Sequence, residues 1–265
     1  MSFPVYIHVG PWRFHPHWIF ETLAYAVAFR VYLVCRRRHG DALDIENRWW
    51  IIAAAAVGAV VGSKVLFWFE DPRLTLQHAA DPTFLLSGKT IVGALIGGLF
   101  AVESAKKFLG IAFRTGDPFA LPLCVGIAIG RVGCFLTGTD DHTAGIGTAL
   151  PWGIDFGDGV RRHPTQLYEI LFVLVLAAFL WRRMNKLHQQ GDIFRIFMVG
   201  YFSLRLLCDF LKPEIHVLAG LSSIQWACVA MLLYYARDIW RWLTSAVLRR
   251  SANVEASGAG FEEGR

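Results

Sequence analysis

Seven apolar runs, most of them long enough to cross a bilayer as a helix, leave little of this 265-residue chain for anything else. They cover Trp18 to Cys35, Trp49 to Phe69, Ile91 to Glu103, Pro118 to Leu136, Thr165 to Leu180, Ile193 to Leu211 and Ser222 to Trp240. A hydrocarbon core about 30 Å thick calls for about 20 such residues in a helix. In lipid, a helix satisfies its own backbone hydrogen bonds. The pattern predicts an all-α membrane protein of about seven transmembrane helices. Residues 1–250 form a single polytopic membrane domain, and 251–265 a disordered cytoplasmic tail whose Ser, Gly, Ala and Glu cannot bury a core. The third run is short unless it begins near Leu85, and 70–90 reads as a loop holding Pro72 and Pro82. Composition agrees: 55% of residues are hydrophobic and 18% charged, against about 25% charged in soluble proteins. No sizeable soluble domain fits beside the spans.

The net charge of +5 need not mean nucleic acid. Arg36, Arg37, Arg38 and Arg48, then Lys106, Lys107 and Arg114, then Arg182, Arg183 and Lys186, then Arg237, Arg241, Arg249 and Arg250 fall after the first, third, fifth and seventh spans. The other loops hold fewer cations: Arg73, Lys89, Arg161, Arg162 and Lys212. The positive-inside rule then puts the N-terminus outside and the C-terminus in the cytoplasm. The N-terminus lacks the basic, apolar and small-residue order of a cleaved signal peptide, so the first span is expected to direct insertion. Residues 1–17 read as an interfacial lead-in.

Against that frame, several embedded charges stand out. A charge at mid-membrane costs roughly 2.5–3.5 kcal/mol on insertion scales and marks function by default. Arg131 and Arg205 fall in the outer halves of their spans, where a guanidinium can take a lipid phosphate bidentately. Each can equally pair with a carboxylate inside the bundle, and Asp209 follows Arg205 by one helical turn. Glu169 opens the fifth span and Glu21 the first. Arg30, Lys64 and Arg195 read as snorkelling side chains.

After Arg131 comes a glycine-rich polar segment ending in Asp140-Asp141-His142. Histidine is the usual base near neutral pH, which makes His142 and His163 candidates, with His15 and His17 on the same side. An adjacent Asp-Asp-His triplet offers poor ligand geometry with no evident fourth ligand, so no metal and no cofactor are expected. The five cysteines lie in or beside apolar runs without a CxxC, which argues against disulfides and zinc; Cys134 reads as a small buried residue. Gly58, Gly62 and Ser63, at three- and four-residue spacing, allow close helix packing. The glycines of 88–98 lack the spacing of a phosphate loop.

Gly130-Arg131-Val132-Gly133-Cys134-Phe135, Leu150-Pro151-Trp152, Arg162-His163-Pro164-Thr165-Gln166-Leu167-Tyr168-Glu169 and Gly200-Tyr201-Phe202-Ser203-Leu204-Arg205 together resemble the prolipoprotein diacylglyceryl transferase family. The resemblance spans most of residues 18–240. It implies a bacterial inner-membrane, multi-pass enzyme that moves a diacylglyceryl group from a phosphatidylglycerol-like anionic phospholipid to the thiol of a prolipoprotein lipobox peptide. The implied partners are that lipid, that peptide and the membrane, with no nucleic acid. The implied catalytic set is Arg131, Arg205, Asp209 and His142. Gly93, Gly130, Gly133, Gly138, His163, Gln166, Tyr168, Glu169 and Glu21 are the implied substrate-binding residues. This chain departs from the family pattern at Val92, which replaces a histidine, and at Cys134, Thr137 and Thr139. Glu21 stands where the first span has a tyrosine. The departures leave a second reading open, a lipid-binding or lipid-translocating protein without chemistry, and a third, a transferase with another acceptor.

Overall fold

The computed structural model describes residues 3–40, 43–141, 143–186, 188–213 and 215–245. The expected disordered tail and His142 lie outside the described residues. Among these, nine α-helices account for most of the chain: α1 Pro16–His39, α2 Ile45–Trp68, α3 Pro72–Gln77, α4 Pro82–Ser87, α5 Ile91–Phe108, α6 Asp117–Thr137, α7 Thr165–Met184, α8 Asp192–Cys208 and α9 Ser223–Tyr234. Each predicted apolar run corresponds to one of the seven longer helices. Three segments, Pro16–Arg38, Ile45–Trp68 and Asp117–Asp141, are long and apolar enough by themselves to cross a membrane. After a turn at Tyr235 the chain is helical again over 236–245.

The all-α expectation needs one correction. Two short antiparallel ribbons flank the bundle, β1 Ile7–Val9 with β2 Trp12–Phe14, and β3 Ile154–Asp155 with β4 Arg161–Arg162. The first occupies what reads as an unstructured lead-in. The 70–90 loop also contains α3 and α4. Asp71 and Asp81 cap them, accepting from Leu74 N and Thr83 N, and proline takes the first helical position of each. That position has no intrahelical use for an N–H, so proline fits there without loss.

The packing does not follow chain order. α1 lies along α6 and α2 along α5, while α6, α7, α8 and α9 form a contiguous group. Between α2 and α5 the backbones nearly touch. A Cβ at Gly62 or Gly97 would run into the backbone of Gly97 and Gly62 respectively, and one at Gly58 into Gly97 O and the Ala101 methyl. The small-residue spacing of α2 does what it predicts. α8 lies at the centre, with Phe197, Tyr201 and Phe202 fully buried. Large apolar side chains such as Trp49, Trp50, Val57, Val61, Leu171, Val175 and Phe179 point outward. So much exposed apolar surface on α2 and α7 suits lipid rather than water.

A cavity of about 1340 Å³ separates the α1–α6 pair from the α2–α5 pair. Its middle is apolar, lined by Ala24, Ala28, Ala55, Ala59, Leu95, Leu99 and Ile127. One end meets the starts of α1 and α5 and the end of α6, at Glu21, Lys89 and Arg131.

Candidate active site

The starts of α7 and α9 and the ends of α6 and α8 converge at this end of the bundle, and the embedded charges meet there. Glu169 sits one turn into α7 with no solvent exposure. Its Oε2 accepts from Arg131 Nε at 2.8 Å, and its Oε1 accepts from Arg205 Nη1 at 2.8 Å. Lys212 Nζ, just beyond α8, lies 3.4 Å from the same Oε1. Arg205 Nη2 donates to Asp209 Oδ1 at 2.8 Å, and Ser222 Oγ donates to Asp209 Oδ2 at 2.9 Å. Both readings of the arginines therefore meet in one arrangement. They pair with carboxylates, and Arg131, Arg205 and Lys212 also line the cavity. Three cations face two carboxylates, which leaves one positive charge for an anion. Arg205 Nε is buried without a hydrogen-bond partner among the described residues. Burial pushes the Lys212 ammonium below its ordinary range, with the Arg205 charge adding to the effect and Glu169 opposing it.

A second group lines the same end of the cavity. Glu21 Oε1 accepts from Lys89 Nζ at 2.5 Å, and Glu21 Oε2 lies 3.6 Å from His17 Nε2. His17 Nδ1 lies 3.2 Å from Asp141 Oδ1, and Arg131 Nη1 is 3.9 Å from Cys134 Sγ. Lys64, read as a snorkelling side chain, instead binds the carbonyls of Leu86 and Gly88 at 2.5 and 2.6 Å and ties the loop before α5 to the end of α2.

The other predicted residues divide by position. Gly130 lines the cavity and has open space where a Cβ would stand. Gly133 lets α1 approach α6, since a Cβ there would meet Phe20 Cβ at 2.8 Å. Gly138 ends α6 at φ +75°, a conformation that side chains resist. Gly93 faces α2, where a Cβ would meet Leu66 Cβ at 2.8 Å. Gln166 is buried beside Glu169 in sequence and donates to Thr143 Oγ1 at 3.1 Å. His163 and Tyr168 form a separate contact, Nδ1 to the phenol oxygen at 3.2 Å, and Trp152 Nε1 donates to that oxygen at 2.8 Å. The His163 ring stands on the polar loop and the Tyr168 ring on the first turn of α7, in contact with each other rather than with the cations.

Sequence reasoning passes over Lys212 as a site member, and it ranks His17 and Cys134 below the other candidates. Lys212 reads as a loop charge and His17 as part of the lead-in. The His17–Glu21 spacing of one helical turn is the signal that links His17 to an embedded carboxylate.

A helical bundle with outward apolar faces, a large apolar cavity and buried cations at one end of it defines a membrane protein. Its sequence matches the family model for prolipoprotein diacylglyceryl transferase over residues 4–240, and the chain belongs to that family. It is 32% identical to the phosphatidylglycerol–prolipoprotein diacylglyceryl transferase of Bordetella parapertussis, over 87% of this chain and 91% of that protein. It is 30% identical to the protein of the same name from Methylobacillus flagellatus, over 93% and 97%. The Azoarcus protein of that name is 29% identical, over 96% and 97%.

Proposed function

We propose that this chain transfers a diacylglyceryl group from a phosphatidylglycerol-like lipid to an acceptor thiol, the prolipoprotein thiol of its relatives' names. The observation that carries the reading is the buried Arg131–Glu169–Arg205–Lys212 cluster at the end of a lipid-sized cavity. The lipid phosphate would sit against Arg131 and Arg205, with the acyl chains in the apolar middle. The acceptor thiolate attacks the glyceryl carbon, a C–S bond forms, and the C–O bond to phosphate breaks. Glycerol phosphate leaves with the electron pair. Guanidinium groups in a dry site stabilise that developing charge more than water does. Glu169 holds both arginines in place, so their forks need no reorganisation during the step. Asp209 and Ser222 fix Arg205 from the far side.

The charge distribution supports seven spans with the N-terminus outside, which puts the site at the outer leaflet of the bacterial inner membrane. The helix starts and ends that meet near the site alternate along the chain, which supports that reading. His142 or a carboxylate beside it would take the acceptor proton. The test combines purified protein in lipid nanodiscs, glyceryl-labelled phosphatidylglycerol and a lipobox peptide. Labelled peptide with release of glycerol phosphate is the expected result. Bound lipid without transfer would overturn it and favour the second reading, lipid binding without chemistry. One observation weighs toward that second reading: Val92, where the family has a histidine, is buried and cannot move a proton.

A further inference from the structure

We infer that His17, Cys134 and Asp141 form a binding site for a soft divalent cation, Zn²⁺ by its ligand chemistry, at the mouth of the cavity. Their three ligand atoms lie within 4.8 Å of one another. They come from three places: the first turn of α1, the last turn of α6 and the 3-10 turn at Gly138–Asp141. Coordination distances of about 2.0–2.3 Å put tetrahedral ligand atoms roughly 3.3–3.7 Å apart. Small side-chain rotations therefore bring the three onto one ion. His17 Nδ1 is already 3.2 Å from Asp141 Oδ1, yet it is buried without a hydrogen-bond partner among the described residues. The imidazole nitrogen and the carboxylate oxygen already face each other, with the thiol sulfur beside both, so one cation displacing the ring proton meets all three.

The surroundings fit as well as the ligands do. Metal-bound histidines usually give their other ring nitrogen to a carboxylate; here His17 Nε2 faces Glu21 Oε2 at 3.6 Å. Asp141 Oδ2 accepts from Thr143 Oγ1 at 2.9 Å, and Arg131 Nη1 lies 3.9 Å from Cys134 Sγ. One nitrogen, one sulfur and one oxygen suit zinc; magnesium and calcium require oxygen ligands. Three protein ligands leave a fourth position open, as in catalytic rather than structural zinc sites. All three ligands line the cavity, so the open position faces it. In one respect the inference rests on the transferase reading: a thiol in that position binds as thiolate and releases its proton to solvent. The acceptor sulfur would then need no separate base.

The test is metal content and cobalt spectroscopy on full-length protein in detergent, with transfer measured in parallel. After incubation with Zn²⁺ and gel filtration, about one equivalent should remain bound. Co²⁺ in its place should give a thiolate charge-transfer band. That band should vanish in Cys134→Ser and persist in Cys228→Ser, whose sulfur lies elsewhere in the core. Glu21→Gln keeps all three ligands and should weaken Zn²⁺ about 10- to 100-fold. Folded protein with no bound metal, or equal binding by Cys134→Ser and Asp141→Asn, overturns the site. Zinc binding without transfer keeps the site and removes the transferase reading. Transfer at an unchanged rate after zinc removal leaves that reading standing and removes the metal's role in acceptor activation.

Discussion

Two seams hold this bundle together by opposite means. Along α2 and α5, glycines 58, 62, 93 and 97 bring two backbones into contact with no charge involved. Where α6, α7 and α8 meet, Arg131, Glu169 and Arg205 bridge three helices with ions. Lipid tails are as apolar as leucine, so hydrophobic burial alone does not drive helices together in a membrane. Close packing and polar contacts remain, and each seam uses one of them. The glycine seam can do nothing but pack. The ionic seam costs desolvation to build and holds a surplus positive charge beside a cavity. The difference teaches where the proposed function belongs: at the seam that costs desolvation to build.

The sharpest way to break the comparison is at Glu169. Glu169→Ala leaves three buried cations around an empty position, with only Asp209 to offset them. Removing one partner of a buried pair costs about 3–5 kcal/mol. Thermal unfolding in detergent should show a loss of that order, and an unchanged midpoint would mean that the cations are not held by this carboxylate. Arg131→Lys tests the functional half of the seam. It keeps the charge but loses the planar fork that spans Glu169 and the cavity. Transfer should fall about 10²-fold or more while the melting temperature moves much less, as read by labelled peptide and by unfolding on one preparation. Equal losses in both would make Arg131 structural only.

At the other seam, Gly97→Ala pushes a methyl toward the α2 backbone, 2.8 Å from Gly62 Cα. Overpacking of this kind costs about 1–3 kcal/mol. The fold should loosen while the chemistry per folded molecule stays the same, since the substitution touches no charge. A drop in transfer beyond the drop in folded fraction would show that the two seams are coupled across the cavity.

Both seams were partly legible in the chain. The small-residue spacing of Gly58 and Gly62 named the first, since packing in lipid needs little else. Arg131, Arg205 and Glu169 were each visible as charges where none should be. Their convergence was not, because it depends on which distant helices meet, and no periodicity encodes that. Lys212 looked like a loop charge because it directly follows the end of a span. Asp71-Pro72 and Asp81-Pro82 carried full helix-start signals within a stretch read as loop. His17 and Cys134 lie in α1 and α6, and only the pairing of those helices brings them together.

The smallest effect belongs to a third kind of contact, outside both seams. Arg162 Nε and Nη2 donate to Asp158 Oδ2 at 3.0 and 2.6 Å at the exposed end of the β3–β4 ribbon. The Arg162 guanidinium holds the Asp158 carboxyl below its ordinary value. With the folded value depressed, the pair contributes stability above the unfolded carboxylate value and loses it as pH falls through the folded one. Water and salt screen an exposed pair of this kind. Asp158→Asn should therefore shift the melting midpoint slightly at neutral pH, and the two curves should merge in acid. The buried carboxylate of Glu169, shared by two arginines, should cost far more to disturb. Comparing the two substitutions in one melting series measures how much burial, rather than hydrogen-bond geometry, makes the ionic seam matter. A shift at Asp158 as large as that at Glu169 would mean that burial contributes little.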